Sequence, residues 1–287
     1  MVIAAIDAVG RRAERRLALQ ASGDWRAGGD HAQASDAIDF GRYHALVIGN
    51  SAYRSLPRLR TAGHDADAVA RVLTERYGFR VTVLHDATRY AVLSALNRLR
   101  AELSDDDNLL IYYAGHGELD RVNMRGHWLP VDAERDSSAN WISNLAITDI
   151  LNAMSARHVM VVSDSCYSGS FTRSGITTLE SGLSDEKRTA WLTLMARKRS
   201  RTALTSGGLA PVLDAGGGDH SVFAAAFLDV LQRNTDVLEG QRLFQELSAR
   251  VTFAAESYDF EQLPQYAPIK YAGHEAGDFF LVLGPGG

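Results

Sequence analysis

A lone cysteine and a histidine fifty residues before it are the side chains of this chain best suited to nucleophilic chemistry. Cys166 follows the apolar run 159–162 within a short polar motif, and His116 follows the apolar run 109–114. A thiol is weakly ionised near neutral pH, so a catalytic cysteine needs a base nearby, and a histidine can also return the proton to a leaving amine. The pattern therefore predicts Cys166 as a nucleophile and His116 as its general base.

Two glycines flank His116 and would let a substrate backbone approach its ring. The amides of Gly117 and Cys166 could both donate to a developing oxyanion, an effect of roughly 3 kcal/mol per donor. Each side chain also has a simpler interpretation, because a lone cysteine is most often a buried core thiol and a histidine after a strand can serve a turn. The polar sequence around the cysteine, from Asp164 to Gly169, favours the catalytic interpretation of the pair.

Apolar runs of strand length alternate with helix-like segments from residue 43 onward. The predicted strands are 44–48, 80–84, 109–114, 158–163, 202–205 and 279–283, the predicted helices are 62–77, 89–103, 147–154, 222–233 and 243–255, and a hairpin is predicted within 117–131. This alternation is typical of βαβ units and a parallel sheet, which makes the fold class α/β. If the strands that precede His116 and Cys166 are neighbours, both side chains emerge at the carboxyl edge of the sheet, where open α/β sheets bind ligands.

Two segments lie outside this regular pattern. Residues 1–41 contain a predicted short helix followed by a polar, glycine-containing stretch that is too poor in large apolar residues to form a core, so they are interpreted as an N-terminal extension. The crossover 173–201 is the most loop-like stretch of the remainder and ends in the basic cluster 197–201.

Composition excludes several classes of function. The 287 residues carry a net charge of −5 and a pI near 6.0, which provides no electrostatic footprint for nucleic acid or an anionic membrane. One cysteine forms no intramolecular disulfide and no multi-cysteine zinc site, so a reducing compartment, by default the cytoplasm, is expected. No run approaches the ~20 apolar residues of a membrane span, and the apolar N-terminus is too short for a secretory signal.

Five motifs give the chain its resemblance to a known family. They are Ala45–Asn50, Tyr112–Gly117, Trp128–Asp132, Asp164–Gly169 and His220–Phe223. Over residues 43 to about 283 the chain resembles the caspase-like cysteine peptidases, specifically the metacaspase and bacterial orthocaspase branch. The resemblance implies the caspase-hemoglobinase fold, a six-stranded mostly parallel sheet, with five parallel strands and one antiparallel, flanked by helices on both faces. It also implies a peptidase domain over 42–284, with a large-subunit-like part (42–172), a linker (173–200) and a small-subunit-like part (201–284).

The same resemblance implies a Cys-His dyad of Cys166 and His116 with no essential third carboxylate, and cleavage through a thioester acyl-enzyme. Asp164 and Asp65 fall on pocket carboxylates of metacaspases, and two carboxylates would hold an arginine or a lysine side chain. The expected substrates are therefore proteins or peptides with Arg or Lys at the cut site, and Ser206 is expected to present its backbone to them. Asp65 could instead be a helix-start carboxylate and Asp164 a loop-fixing side chain. Ala114 stands where many metacaspases have serine, which leaves the balance between Arg and Lys open.

The sequence leaves the mode of regulation open. Arg173, Lys187 and Arg188 and the basic cluster suit self-cleavage between the fourth and fifth strands, and an upstream activator or a fused regulatory module could act as a partner. Asp132 and Asp136 lie near the region where some metacaspases bind calcium, but their spacing is not that of an EF-hand loop, and no cofactor is predicted. Asp105–Asp107 is interpreted as a solvated turn. The alternative function is a catalytically silent caspase-fold interaction module, against which the intact Cys166 and His116 weigh.

Overall fold

The computed structural model describes residues 2–6, 12–16, 38–165, 185–207, 218–257 and 262–284. The strands are β1 Val2–Ile6, β2 Arg12–Arg16, β3 Arg42–Gly49, β4 Arg80–His85, β5 Asp107–Ala114, β6 Gly117–Asp120, β7 Arg125–Trp128, β8 Ile142–Ser143, β9 His158–Asp164, β10 Ser200–Thr205, β11 Leu238–Glu239, β12 Gln265–Pro268 and β13 Phe280–Leu281. The helices are α1 Ala62–Tyr77, α2 Arg89–Glu102, α3 Asn144–Asn152, α4 Asp185–Ala196, α5 Val222–Arg233 and α6 Gly240–Glu256.

A six-stranded sheet in the order β12-β10-β9-β5-β3-β4 forms the centre of the fold. The pairs from β10 to β4 are all parallel, and β12 is antiparallel to β10. Every residue of the two central strands β5 and β9 is buried, as expected for parallel strands covered on both faces. This arrangement is the six-stranded, mostly parallel sheet that the family resemblance implied.

Helices cover both faces of the sheet, as expected. Apolar side chains of α1, α5 and α6 pack with one face of β3, β5 and β9, and those of α2 and α3 pack with the other face. The predicted ranges of α1 and α5 agree with the structure to the residue. α1 alternates apolar and polar positions with the period of a helix, α5 is apolar over most of its length, and Gly78 ends α1 in a left-handed conformation with φ of 67°.

The sixth strand of the sheet corrects one prediction. The predicted closing strand 279–283 forms only the short β13, which pairs with β11 in a separate two-stranded sheet. The edge of the central sheet is instead β12, whose four residues Gln265–Pro268 include a terminal proline and carry no apolar run. Edge strands need little apolar sequence because one side of their ladder is open, so the pattern gave no strand signal here.

Two further predictions are corrected. The crossover between β9 and β10 was expected to be loop-like, but its described part contains α4, from which Leu192 and Ala196 pack against Phe280. Near the N-terminus, the described residues form an antiparallel pair of β1 and β2, with Val2 opposite Arg16, rather than the short helix expected there. Strand pairing uses main-chain hydrogen bonds, so it cannot be inferred from the amino-acid composition of this segment.

Among the described residues, no helix combines the length and the apolar character that a membrane crossing would require.

Candidate active site

The two segments that carry the predicted dyad leave the sheet side by side. Ala114, the last residue of β5, pairs with Asp164, the last residue of β9, and the Gly115 amide donates to the Asp164 carbonyl at 3.4 Å. His116 therefore lies two residues beyond the end of β5, and Cys166 follows the last residue of β9 by two positions in the sequence. Cys166 itself lies outside the described residues, which end on this side at the buried Ser165.

Two tyrosines fix the backbone of His116. The His116 amide donates to the Tyr53 hydroxyl at 2.7 Å, and the Tyr113 hydroxyl donates to the His116 carbonyl at 2.8 Å. A β-carbon at Gly115 would lie 2.7 Å from each of these two phenol oxygens, closer than real side chains approach. Glycine is therefore required before the histidine because two phenol hydroxyls occupy the space of a side chain, a reason different from the substrate approach predicted from sequence, which stays a prediction.

The imidazole of His116 has a defined tautomer. Its Nε2 lies 2.8 Å from the Pro57 carbonyl oxygen, and because a carbonyl can only accept, Nε2 carries the proton. Nδ1 is then the nitrogen with the free lone pair, the one able to accept a proton from a thiol. The ring also packs against Tyr53, with 4.6 Å between ring centroids.

A cavity of about 290 Å³ opens beside this histidine. Its lining includes His116 and Gly117 together with the apolar side chains of Leu56, Leu129 and Trp141. A concave, partly apolar space next to a candidate base is where a peptide substrate would be bound.

The amide of Gly117 is free of the strand ladder. Gly117 is opposite Trp128 in the β6–β7 pair, and the neighbouring hydrogen bond runs from the Leu129 amide to the His116 carbonyl at 3.0 Å. In an antiparallel ladder this pattern makes Gly117 and Trp128 a non-hydrogen-bonded pair, so the Gly117 amide does not donate to β7. The amide is thus available to a substrate oxygen, as its predicted oxyanion role requires.

Both predicted pocket carboxylates are buried and converge on one serine. Asp65 is 1% exposed and Asp164 is 6% exposed. The Ser221 hydroxyl donates to Asp164 Oδ2 at 2.5 Å, and the Ser221 amide lies 3.3 Å from Asp65 Oδ2. Ser221 also caps α5, since its hydroxyl oxygen accepts from the Ala224 amide at 2.9 Å. Asp65 is in the first turn of α1, so its helix-start position and a pocket role are compatible.

Burial sets the electrostatics of this acidic pair. It raises the pKa of Asp65, while hydrogen bonds from His220, Thr61 and the Ser221 amide act in the opposite direction. The buried Tyr112 lies close enough to both carboxylates for their charges to add to the effect of burial, and the pKa of its hydroxyl is well above the usual value. Among the described residues this hydroxyl has no hydrogen-bond partner.

Ser206 lies next to the segment that leads to Cys166. Its amide donates to the Ser163 carbonyl at 3.0 Å, and its hydroxyl lies 3.5 Å from the Ser165 carbonyl. Ser163 and Ser165 are joined through their hydroxyls at 2.9 Å, and the Trp128 indole donates to the Ser163 hydroxyl at 3.1 Å. These contacts fix the end of β9 immediately before the cysteine.

The acidic residues considered from sequence lie in different surroundings. Asp132 accepts a hydrogen bond from the Arg89 amide at the start of α2, at 2.9 Å, and Asp136 is exposed. Asp107, interpreted from sequence as part of a solvated turn, is instead 3% exposed and accepts hydrogen bonds from Arg42 and Ser104. The prediction of a solvated position is wrong for this residue, because the nearby Ser104 and Arg42 from the start of β3 cover its carboxylate.

Several residues of the site carried no sequence signal. Tyr53 and Pro57 belong to the segment after β3, about sixty residues before the histidine that they position, and neither stands in a recognisable motif. Ser221 lies in the His220–Phe223 motif, but nothing in that motif indicated contact with Asp65 and Asp164. Tyr113 was inside the Tyr112–Gly117 motif and could have been suspected from its proximity to His116.

Comparison with known proteins agrees with this arrangement. The family model described as the caspase domain matches residues 42–270. A solved structure of a protein from Geobacter sulfurreducens is similar with a TM-score of 0.53 and 17% identity, covering 82% of this chain and 97% of its own. Caspase-1 from Spodoptera frugiperda is similar with a TM-score of 0.58 and 15% identity, covering 88% of this chain and 94% of its own. At these identities the two structures establish the likeness of fold alone. Comparison with curated proteins finds no match.

Proposed function

Since this chain belongs to the caspase domain family of cysteine peptidases, we propose that it is an endopeptidase that cleaves proteins after arginine or lysine. Cys166 is the nucleophile, His116 the general base and acid, and the Gly117 amide an oxyanion donor. Asp65 and Asp164 receive the basic side chain, and Ser206 contributes backbone at the edge of the same site.

The reaction proceeds in two halves. The Cys166 thiol gives its proton to His116 Nδ1, the sulfur attacks the substrate carbonyl carbon, and the Gly117 amide stabilises the oxyanion. As the carbon–nitrogen bond breaks, His116 returns the proton to the leaving amine and a thioester remains. A water molecule, deprotonated by His116, then attacks the thioester, which releases the carboxylic acid product and restores the thiol.

The proposed specificity for arginine or lysine rests on one observation, that two buried carboxylates both contact Ser221. Taking a carboxylate out of water is costly unless it is paired, and Asp65 accepts from His220 and the Ser221 amide while Asp164 accepts from the Ser221 hydroxyl. Two buried carboxylates at one serine place negative charge where a substrate guanidinium or ammonium group could add charge-assisted hydrogen bonds. An aspartate side chain would be repelled by the same pair.

The proposal is tested with fluorogenic peptides that end in Arg, Lys or Asp. Wild-type protein should cleave the Arg and Lys peptides, Cys166→Ala should cleave none, and Asp164→Asn should lose about two orders of magnitude in kcat/KM, because removing one partner of a buried charge pair costs several kcal/mol. Asp67→Asn is the matched control, since Asp67 lies two residues from Asp65 but is exposed and paired with His85. Absence of turnover by folded wild-type protein would favour the silent interaction module.

Self-cleavage in the segment between β9 and β10 belongs to the same proposal. Several basic residues of this region are already engaged: the Arg199 side chain donates to the Asn152 and Met154 carbonyls, and Arg188 pairs with Asp236 and Glu239. Arg173 lies outside the described residues and is the remaining basic residue closest to the cysteine in sequence. We therefore assign the self-cleavage site to Arg173.

A further inference from the structure

A cluster of two imidazoles and a carboxylate lies on the acidic side of the proposed substrate pocket. The rings of His64 and His220 are stacked, with 4.6 Å between centroids and 10° between planes. His220 Nδ1 lies 2.6 Å from Asp65 Oδ1. One nitrogen or oxygen atom from each of the three side chains lies within 4.8 Å of the others.

The donor atoms of this cluster suit one class of ion. Imidazole nitrogen is a preferred ligand of zinc and of related transition metals, whereas calcium and magnesium take oxygen ligands almost exclusively. Two histidines and one carboxylate, with water in the fourth position, is a known donor set for an open zinc site. The chemistry of the side chains therefore selects zinc over the hard cations considered from sequence.

Two of the three side chains, His64 and Asp65, also have the outer contacts of a metal site. His64 Nδ1 lies 3.1 Å from the Asp219 carbonyl, so it carries the proton and leaves Nε2 as the ligand nitrogen. The Ser221 amide holds the second oxygen of Asp65 at 3.3 Å. Metal-binding histidines commonly have such a backbone partner, which sets their tautomer and orientation.

Only a small movement is needed to close the site. Ligand atoms around tetrahedral zinc lie about 3.3 Å apart, as follows from metal–ligand distances of about 2.0 Å. Asp65 is buried and His220 is three-quarters buried, so these two form the better-held half of the site, and their donor atoms, 2.6 Å apart, need only separate to about 3.3 Å to admit the ion. His64 is exposed, and rotation of its side chain can bring its nitrogen to the metal.

We propose that His64, Asp65 and His220 bind a zinc ion that blocks the substrate pocket. The ion takes the place of the proton between His220 Nδ1 and Asp65 Oδ1, and that proton is released to solvent. The blocking effect rests on the proposed function, because Asp65 is also a carboxylate that receives the basic side chain of the substrate. Zinc and an arginine or lysine residue then compete for Asp65.

Binding is measured apart from catalysis in the full-length Cys166→Ala protein, which removes the thiol as an alternative zinc ligand. Calorimetry with zinc, and the visible absorption of bound Co²⁺, should report one site per chain. Adding His64→Gln or His220→Gln should weaken binding at least about tenfold, since loss even of an outer partner of a metal ligand costs that much. Adding His85→Gln should change nothing, because His85 forms an exposed pair with Asp67 and is not a member of the cluster. Equal affinity in the His64→Gln and parent proteins would overturn the proposal, as would absence of binding.

Inhibition is then measured in protein with an intact Cys166. Zinc should raise KM for an Arg peptide without lowering kcat, and His64→Gln should raise the inhibition constant at least about tenfold relative to wild type. An inhibition constant unaffected by His64→Gln would overturn the blocking role, because zinc would then act elsewhere. A chain that binds zinc through His64 but cleaves no peptide would support the metal site and contradict the peptidase proposal, so the two failures are distinguishable.

Discussion

His116 is held by three groups that leave its Nδ1 available. Tyr53 accepts from its amide, Tyr113 donates to its carbonyl, and the Pro57 carbonyl accepts from Nε2. None of these groups needs to touch substrate, so their expected effect is on the orientation of the base. In this arrangement a backbone carbonyl takes the orienting role that an aspartate has in many catalytic triads.

Tyr53→Phe tests this positioning. The variant keeps the ring that packs on His116 but removes the oxygen that accepts the His116 amide, which costs about 1–2 kcal/mol for an unsatisfied donor. The expected result is a fall of about tenfold in kcat with little change in KM, measured by steady-state kinetics on an Arg peptide. Tyr90→Phe, at an exposed tyrosine, is the control. A rise in KM at constant kcat would instead identify Tyr53 as a substrate contact.

At the scale of elements, one buried side chain joins β10 to the segment after α3. Arg201 is fully buried, and its guanidinium donates to five carbonyls, those of Leu151, Met154, Ala156, Arg157 and Ser200. Burial, with the nearby charge of Arg199, lowers the pKa of Arg201 to about 9, so it remains charged at neutral pH. The basic cluster 197–201, which was predicted as a region for self-cleavage, therefore includes a residue with a structural role.

Arg201→Met should destabilise the fold. Methionine fills part of the volume but removes hydrogen bonds to five carbonyls, of which those of Leu151, Met154 and Arg157 keep another donor, and the expected loss in the free energy of unfolding is on the order of 3–5 kcal/mol. Urea denaturation at neutral pH measures it. Arg98→Met, at an exposed position of α2, should stay within about 0.5 kcal/mol of wild type. A loss for Arg201→Met as small as that of the control would mean that water replaces the guanidinium.

Asp107 joins the starts of β3 and β5 and makes the stability of the fold depend on pH in the acid range. Burial alone would raise its pKa, but hydrogen bonds from Arg42 and from the Ser104 amide and hydroxyl outweigh burial and lower the pKa of Asp107 to about 2. The folded-state pKa is below the unfolded value near 3.9, so the stabilisation is complete above about pH 4 and is lost as the pH falls toward 2.

The matched experiment compares wild type with Asp107→Asn. The variant should be less stable by about 2 kcal/mol at pH 7, as a pKa difference of nearly two units implies, and the difference should shrink between pH 4 and pH 2. Urea denaturation across this pH range measures both stabilities. A constant difference at every pH would show that the asparagine acts through changed packing rather than through the lost charge.

At the scale of the whole molecule, self-cleavage is expected between the strand that carries the cysteine and the next strand of the sheet. Bonds inside β10 are part of a central ladder with β9 and β12, and a peptidase requires an extended, accessible segment. Arg173→Gln should therefore abolish the fragments seen on incubation of wild-type protein, while Arg199→Gln should leave them unchanged. N-terminal sequencing of the smaller fragment should begin at residue 174. Fragments that persist in Cys166→Ala would come from another peptidase.

The positions of the regular elements were largely accessible from sequence. In β3, β5, β9 and α5, local apolar patterning and burial agree, because a strand or helix in the middle of a sheet fold must bury an apolar face. Prediction failed for β12, an edge strand with little apolar sequence, and for α4, whose apolar residues Leu192 and Ala196 belong to a small cluster apart from the two main faces of the sheet.

The candidate chemistry can be read from the sequence: one thiol, one histidine between glycines, and two strands whose ends can bring them together. The residues that contact these groups are seen only in the folded chain. Asp65 and Ser221 are 156 residues apart, and Pro57 and His116 are 59 apart, yet each pair is in contact. Such contacts depend on which strands become neighbours, and a single polar side chain leaves no periodic trace in the sequence. The local pattern therefore encodes the elements, while the partners of His116 and Asp65 arise from the packing of distant segments.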